Sequence, residues 1–127
     1  MSIHFDPTNG LVVVTARVFG PSGTAYARLA LDTGATLTVI RPALLVAAGF
    51  DPLASEQRVQ MTTGSGVEYV PVLEVNLVEA LEREQVNLLV ASYTLPPSAT
   101  VDGLLGLNFL RDRDLLVSFR NGTITLK

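Results

Sequence analysis

The most informative stretch of the sequence is Ala30-Leu31-Asp32-Thr33-Gly34-Ala35-Thr36. In it, Asp32 directly follows an apolar segment and directly precedes Thr33 and Gly34. A carboxylate at the end of an apolar strand loses solvation unless it is hydrogen-bonded or serves a function. Gly34 permits a tight turn whose backbone N–H groups point back at that carboxylate. The alternative interpretation is a structural Asx turn, in which Asp32 bonds only to its own backbone.

Segments with strand character surround this stretch. They are rich in β-branched residues and are separated by turn residues. The predicted strands are residues 11–18, 25–31, 36–40, 67–77, 86–91, 115–119 and 123–126. Alternation is clearest in 67–77, where one apolar face is predicted to hold Val67, Tyr69, Pro71, Leu73, Val75 and Leu77.

Helical signals are few and short. Pro42 suits a first helical position, and the run to Ala48 ends at Gly49, a natural C-terminal stop. Residues 107–110 favour a second short helix, whereas residues 79–85 are interpreted as a wide hairpin connection. Asn121-Gly122 is a strong hairpin signal. The sequence therefore predicts an all-β domain, mostly antiparallel, with one or two short helices.

Composition limits the chemistry that this chain can perform. Its 127 residues suit a single compact domain, residues 1–127, and 48% of them are hydrophobic, enough for a core. Cysteine is absent and His4 is the sole histidine, which excludes a disulfide scaffold, a thiol nucleophile and a Cys-ligated zinc site. No metal ion and no cofactor are expected.

The charge pattern excludes two classes of partner. The net charge is −3, and no basic stripe is present that would neutralise phosphates, so no nucleic-acid partner is expected. The N-terminus lacks the pattern of a signal peptide, and the longest apolar run, residues 43–48, is too short to cross a bilayer. We therefore expect a cytoplasmic protein without a membrane partner.

Three features in order resemble a retropepsin-like aspartic protease of the bacterial type. The first is Leu31-Asp32-Thr33-Gly34-Ala35 with the strand and helix that follow it. The second is the glycine-rich stretch 61–67, at the place of the flap that closes over substrate in this family. The third is 101–110, which resembles the hydrophobic-hydrophobic-Gly motif behind the catalytic loop. The resemblance implies a closed β-barrel or sandwich corresponding to half of an acid-protease fold.

The resemblance also implies a mechanism and a partner. Such enzymes need two carboxyl groups, and this chain carries a single Asp-Thr-Gly, so it implies a homodimer that cleaves peptide or protein substrates with apolar residues at the scissile bond. The implied catalytic residues are Asp32, Thr33 and Gly34. Thr33 would brace the dimer axis, and Gly34 and Ala35 would donate backbone N–H groups to the carboxylates. The implied substrate-binding residues are Ala35, Thr63, Gly64, Ser65 and Gly66.

Some alternatives stay open at this point. Ala35 stands where many relatives have serine, which predicts activity at a milder pH than a serine would give. Asp102 precedes Gly103 and is interpreted as a turn or bulge residue. An inactive dimerisation or peptide-binding module with the same fold is the main competing function. A small β-barrel unrelated to proteases, with Asp32 in a structural turn, is a weaker one.

Overall fold

β-strands dominate the part of the chain described by the computed structural model, residues 2–63 and 66–127. The strands are β1 (Ile3–His4), β2 (Val13–Gly20), β3 (Gly23–Leu31), β4 (Thr38–Ile40), β5 (Arg58–Thr63), β6 (Gly66–Ala80), β7 (Arg83–Ser92), β8 (Gly103–Leu105), β9 (Leu115–Ser118) and β10 (Thr123–Leu126). The helices are α1 (Pro42–Ala47) and α2 (Leu107–Leu110), with 3-10 turns at Pro52–Ala54 and Pro97–Ala99.

Six of the strands close into a barrel. Their order is β2-β3-β8-β4-β7-β6, and pairing of β2 with β6 completes the ring. The β3–β8 and β4–β7 pairs are parallel, and the other pairs in the ring are antiparallel. β5 extends outward from β6, while β1, β10 and β9 form a separate three-stranded sheet. The closed β-barrel with two short helices confirms the predicted fold class.

The core fills the barrel and the space beneath α2. Its largest fully buried side chains include Leu29, Leu45, Leu105 and Phe109. Alternate residues of β2 point into this core, as expected for a strand with one buried face. The separate sheet is joined to the same cluster through Ile124, so it is packed on the barrel rather than detached from it.

The apolar face predicted for 67–77 was wrong at its N-terminal end. Val67 and Tyr69 are 54% and 70% exposed, whereas Val70 and Val72 are buried. Farther along β6, Val75 is buried. This strand pairs first with β5 and then with β7 and β2, so the face covered by protein changes along its length. Simple alternation cannot anticipate such a change.

The wide connection predicted for 79–85 was also wrong. β6 runs to Ala80 and β7 starts at Arg83, so Leu81 and Glu82 alone form the turn, both with positive φ (54° and 61°). Tight turns of this kind favour Asn and Gly. Leu81 is buried in the main core, and that burial offsets the strain of its backbone.

The predicted helices are both present. Pro42 opens α1, Ala48 caps its C-terminus, and Gly49 follows with φ 101°, as a helix stop requires. In the described ranges, none of the helices has the length and apolar character needed to span a bilayer. The cytoplasmic location stays a prediction.

Candidate active site

Local hydrogen bonds build the turn that carries Asp32. The Asp32 N–H donates to the Leu105 carbonyl at 3.0 Å, which ties the end of β3 to β8. The Gly34 N–H donates to Asp32 Oδ1 at 2.8 Å, as the sequence predicts. The Ala35 N–H donates at 3.2 Å to the main-chain carbonyl of Asp32, not to its carboxylate, so that part of the expectation differs. Asp32 is half-buried.

The hydrophobic-hydrophobic-Gly segment lies directly behind this turn. β8 pairs with β3 on one side and with β4 on the other, and the Leu107 N–H donates to the Ala35 carbonyl at 2.8 Å. A Cβ at Gly106 would lie 2.6 Å from the Leu37 carbonyl oxygen, and one at Gly103 would overlap the Val39 carbonyl. Both glycines therefore allow the backbone approach that fixes the turn.

Two polar residues that the sequence did not single out hold the turn from its far side. Asn108 Oδ1 accepts the Thr38 N–H at 2.8 Å and the Thr38 hydroxyl at 2.9 Å, and Asn108 Nδ2 donates to the Leu89 carbonyl at 2.7 Å. The fully buried Thr38 hydroxyl also accepts the Gly106 N–H at 3.1 Å. Asn108 is a polar residue within an apolar run, which is the signal that could have identified it.

A groove of about 680 Å³ opens in front of Asp32. Of the described residues that line it, Asp32 alone is charged, and most of the others are apolar. The apolar lining residues are Ala35, Leu37, Val39, Val59, Met61, Ala91, Leu95, Pro96 and Leu104. An extended chain with apolar side chains therefore matches the groove better than a charged one.

The hairpin of β5 and β6 forms one wall of this groove through residues 59–62 of β5. Thr63 and Gly66 are paired at its tip, and Gly66 has a φ of 124°. Gly64 and Ser65 lie outside the described residues. Of the other predicted site residues, Ala35 lines the groove, and Thr33 is exposed beside it.

Asp102 does not belong to the groove. Its carboxylate accepts the Arg28 N–H at 2.8 Å and lies 3.5 Å from Arg41 Nε. It therefore fixes the entry to β8, consistent with its interpretation as a structural turn residue.

Comparison with known proteins agrees with this geometry. The sequence profile described as aspartyl protease matches residues 14–109. The chain belongs to the aspartyl protease family. A retropepsin-like aspartic protease from Rickettsia conorii has a similar structure, with a TM-score of 0.72 and 18% identity over 99% of this chain and 89% of that one. No curated protein gives a significant match.

Membership in the aspartyl protease family assigns the class of chemistry. The chain is an aspartic-type endopeptidase with a retropepsin-like fold. In this aspartyl protease, the matched region includes the Asp32 turn, the hairpin of β5 and β6, the Gly103–Leu105 strand and all of α2 except its last residue. The family match excludes the interpretation of this chain as a small β-barrel unrelated to proteases.

Proposed function

We propose that two copies of this chain form one active site, in which the Asp32 carboxyl groups of both subunits activate a water molecule to cleave peptide bonds. The observation that carries the proposal is the groove itself, because its described lining holds a single carboxylate while aspartic protease chemistry needs two. The symmetric solution for such a chain is a two-fold dimer.

The two carboxyl groups have different roles in this mechanism. Side by side they share one proton, because two adjacent negative charges repel. The ionised carboxylate removes a proton from water as the water oxygen attacks the scissile carbonyl carbon. The protonated carboxyl group donates its proton to the carbonyl oxygen. The tetrahedral intermediate then collapses as a proton passes to the amide nitrogen and the C–N bond breaks.

Residues next to Asp32 support these roles. The Gly34 N–H donates to Asp32 Oδ1 at 2.8 Å and so orients the carboxylate. Thr33 and Gly34 are exposed in the single chain, so they are available to a second subunit. In the proposal, Thr33 braces the two turns across the dimer axis, and Thr63 and Gly66 at the tip of the β5–β6 hairpin border the substrate.

The groove also suggests a substrate class. Apolar side chains from several elements line it, so we propose extended peptide segments with apolar residues around the scissile bond. Among the described strands, β5 lies at the edge of its sheet, so we propose that its main-chain groups bond to an extended peptide. The proposed partners are therefore a second copy of the chain and a peptide or protein substrate.

The direct test is Asp32→Asn. Asparagine preserves the size of the side chain and can still accept the Gly34 N–H, but it cannot act as the base. We expect the variant to keep its circular dichroism spectrum and to lose at least about a thousandfold in kcat/KM on apolar-flanked peptides. A matched control is Asp51→Asn, an exposed aspartate outside the groove, which should retain full activity.

Two results would contradict the proposal. Retained cleavage in purified Asp32→Asn protein would assign the activity to another group. A folded wild-type dimer that binds peptides without cleaving any of a broad library would favour the inactive peptide-binding module instead.

A further inference from the structure

A second, smaller cavity adjoins the groove. It measures about 280 Å³ and shares Leu95 and Pro96 with the groove, so this segment forms a wall common to both. Arg41 and Asp102 line its other side. A peptide that leaves the groove past Pro96 therefore meets this cavity next.

Arg41 directly follows β4 and lies on the same face of the chain as Val39, which lines the groove. Val39 lines the groove, and Arg41 follows it by two residues with extended backbone angles (φ −66°, ψ 146°). Residues two apart in an extended chain share a face and lie about 6–7 Å apart. The Arg41 N–H donates to the Asp102 carbonyl at 3.0 Å, which fixes the backbone at this point.

Arg41 and Asp102 are the charged residues on the described lining of the cavity. Asp102 is the carboxylate on its lining, and it already accepts the Arg28 N–H at 2.8 Å. Arg28 lies outside the lining, and its guanidinium donates to the carbonyl of Thr100, a lining residue, at 3.3 Å. Because the Asp102 carboxylate is already bonded to the backbone, Arg41 is the charged lining group that remains for an incoming anion.

The Arg41 guanidinium contacts Asp102 through one of its three nitrogen atoms. It meets Asp102 through Nε at a long 3.5 Å, and its side chain is 48% exposed. Among the described residues, its terminal amines have no hydrogen-bond acceptor. A guanidinium in this state can bind an incoming carboxylate through both amines without displacing Asp102.

We propose that this cavity is a substrate subsite that takes an acidic side chain, with Arg41 as the residue that binds its carboxylate. The inference rests on the proposed function and deepens it. The apolar groove selects the residues around the scissile bond, and Arg41 selects glutamate or aspartate farther along the peptide.

The test is a glutamate scan. A cleaved apolar-flanked peptide is made with Gln at each outer position in turn, and each is compared with its Glu counterpart. We expect one position at which Glu raises kcat/KM about fivefold over Gln in wild type, with the preference weakening at high salt. Arg41→Gln should remove this preference. Arg83→Gln, at the opposite end of β7, is the matched control and should retain it.

A second variant, Asp102→Asn, should strengthen the preference for Glu over Gln. Asp102→Asn keeps an oxygen acceptor for the Arg28 N–H but removes the competing charge, so the Glu-over-Gln ratio should rise above that of wild type. A structural role of Arg41 would change cleavage of both peptides by the same factor and leave their ratio intact. Equal ratios in wild type and Arg41→Gln would therefore overturn the inference while leaving the proposed protease activity untouched.

Binding separates this inference from the proposed function. Labelled Glu and Gln peptides are titrated against Asp32→Asn protein by fluorescence anisotropy, which needs no cleavage. Tighter binding of the Glu peptide, lost on adding Arg41→Gln, supports the subsite even if no peptide is cleaved. Identical affinities overturn it. Inhibition by inorganic phosphate or acetate without any Glu preference would mean that the cavity holds a small free anion, which also overturns it.

Discussion

At the scale of single residues, the Asp32 turn was predictable because its bonds are local. The Gly34 N–H reaches the carboxylate two residues back, and an Asp-Thr-Gly sequence contains that information. The support from Thr38 and Asn108 was not predictable. These residues lie 70 positions apart, and only the pairing of β8 with β4 brings them together. Sequence reasoning therefore predicted the local geometry of the Asp32 turn and missed the residues that hold the turn in place.

Ala35 allows a prediction about pH. It lines the groove next to the Asp32 turn, and a serine there would add a hydroxyl that can donate to a catalytic carboxylate. Donation to the charged form favours ionisation, so Ala35→Ser should move the acidic limb of the kcat/KM–pH profile to lower pH. Profiles of both proteins on one peptide provide the measurement, with Ala35→Gly as the size control. An acidic limb at the same pH in Ala35→Ser would contradict the idea.

At the scale of elements, the sequence predicted where the strands and helices lie along the chain better than it predicted which face of a strand is buried. The helices, the terminal hairpin and most strands lie where the residue types indicate. β6 differs, because its 15 residues serve both the β5–β6 hairpin and the barrel, and the buried face changes between them. The turn after β6 places Leu81 and Glu82 at positive φ, where Asn and Gly are the usual residues. Burial of the Leu81 side chain in the core stabilises this conformation. Both differences come from tertiary contacts that a single sequence does not reveal.

The pairing of β2 with β6, which closes the barrel, predicts that the stability of the fold depends on pH. Arg17 and Glu79 face each other there, with Arg17 Nε 2.7 Å from Glu79 Oε1. The hydrogen bonds from Arg17 lower the pKa of Glu79 from its ordinary value of 4.5. A lowered pKa in the folded state means that the pair stabilises the fold above pH 4.5, and that this contribution is lost as the pH falls through the folded-state value.

Glu79→Gln should therefore be less stable than wild type at neutral pH and converge with it in acid. Urea unfolding across a pH series measures the difference in free energy of unfolding. Glu74→Gln, an exposed position on the same strand, is the control and should show no such convergence. If the loss in free energy of unfolding caused by Glu79→Gln stays constant from neutral to acid pH, the charge of Glu79 does not stabilise the pairing of β2 with β6.

At the scale of the whole molecule, the proposed mechanism requires a second copy of the chain. The lining of the groove, as far as its residues are described, holds one carboxylate, and Thr33 beside the groove is exposed. The family resemblance predicts dimer contacts at the N-terminus and at the hairpin of residues 115–126. In that hairpin, Leu116 and Phe119 are each 65% exposed, so both side chains are accessible to such a contact. The interface stays a prediction until the assembly is measured.

Subunit mixing tests whether one active site needs two chains. Wild-type protein and Asp32→Asn protein are mixed in equal amounts and allowed to exchange, at constant total concentration. If each site needs Asp32 from both subunits, only dimers of two wild-type chains are active, so the activity should fall to about a quarter. Independent active monomers would instead retain about half. Mixing wild type with Arg83→Gln should preserve full activity, because both chains then supply a carboxylate. A linear dependence on the wild-type fraction would contradict a shared site, whereas a quadratic dependence requires that both carboxylates meet.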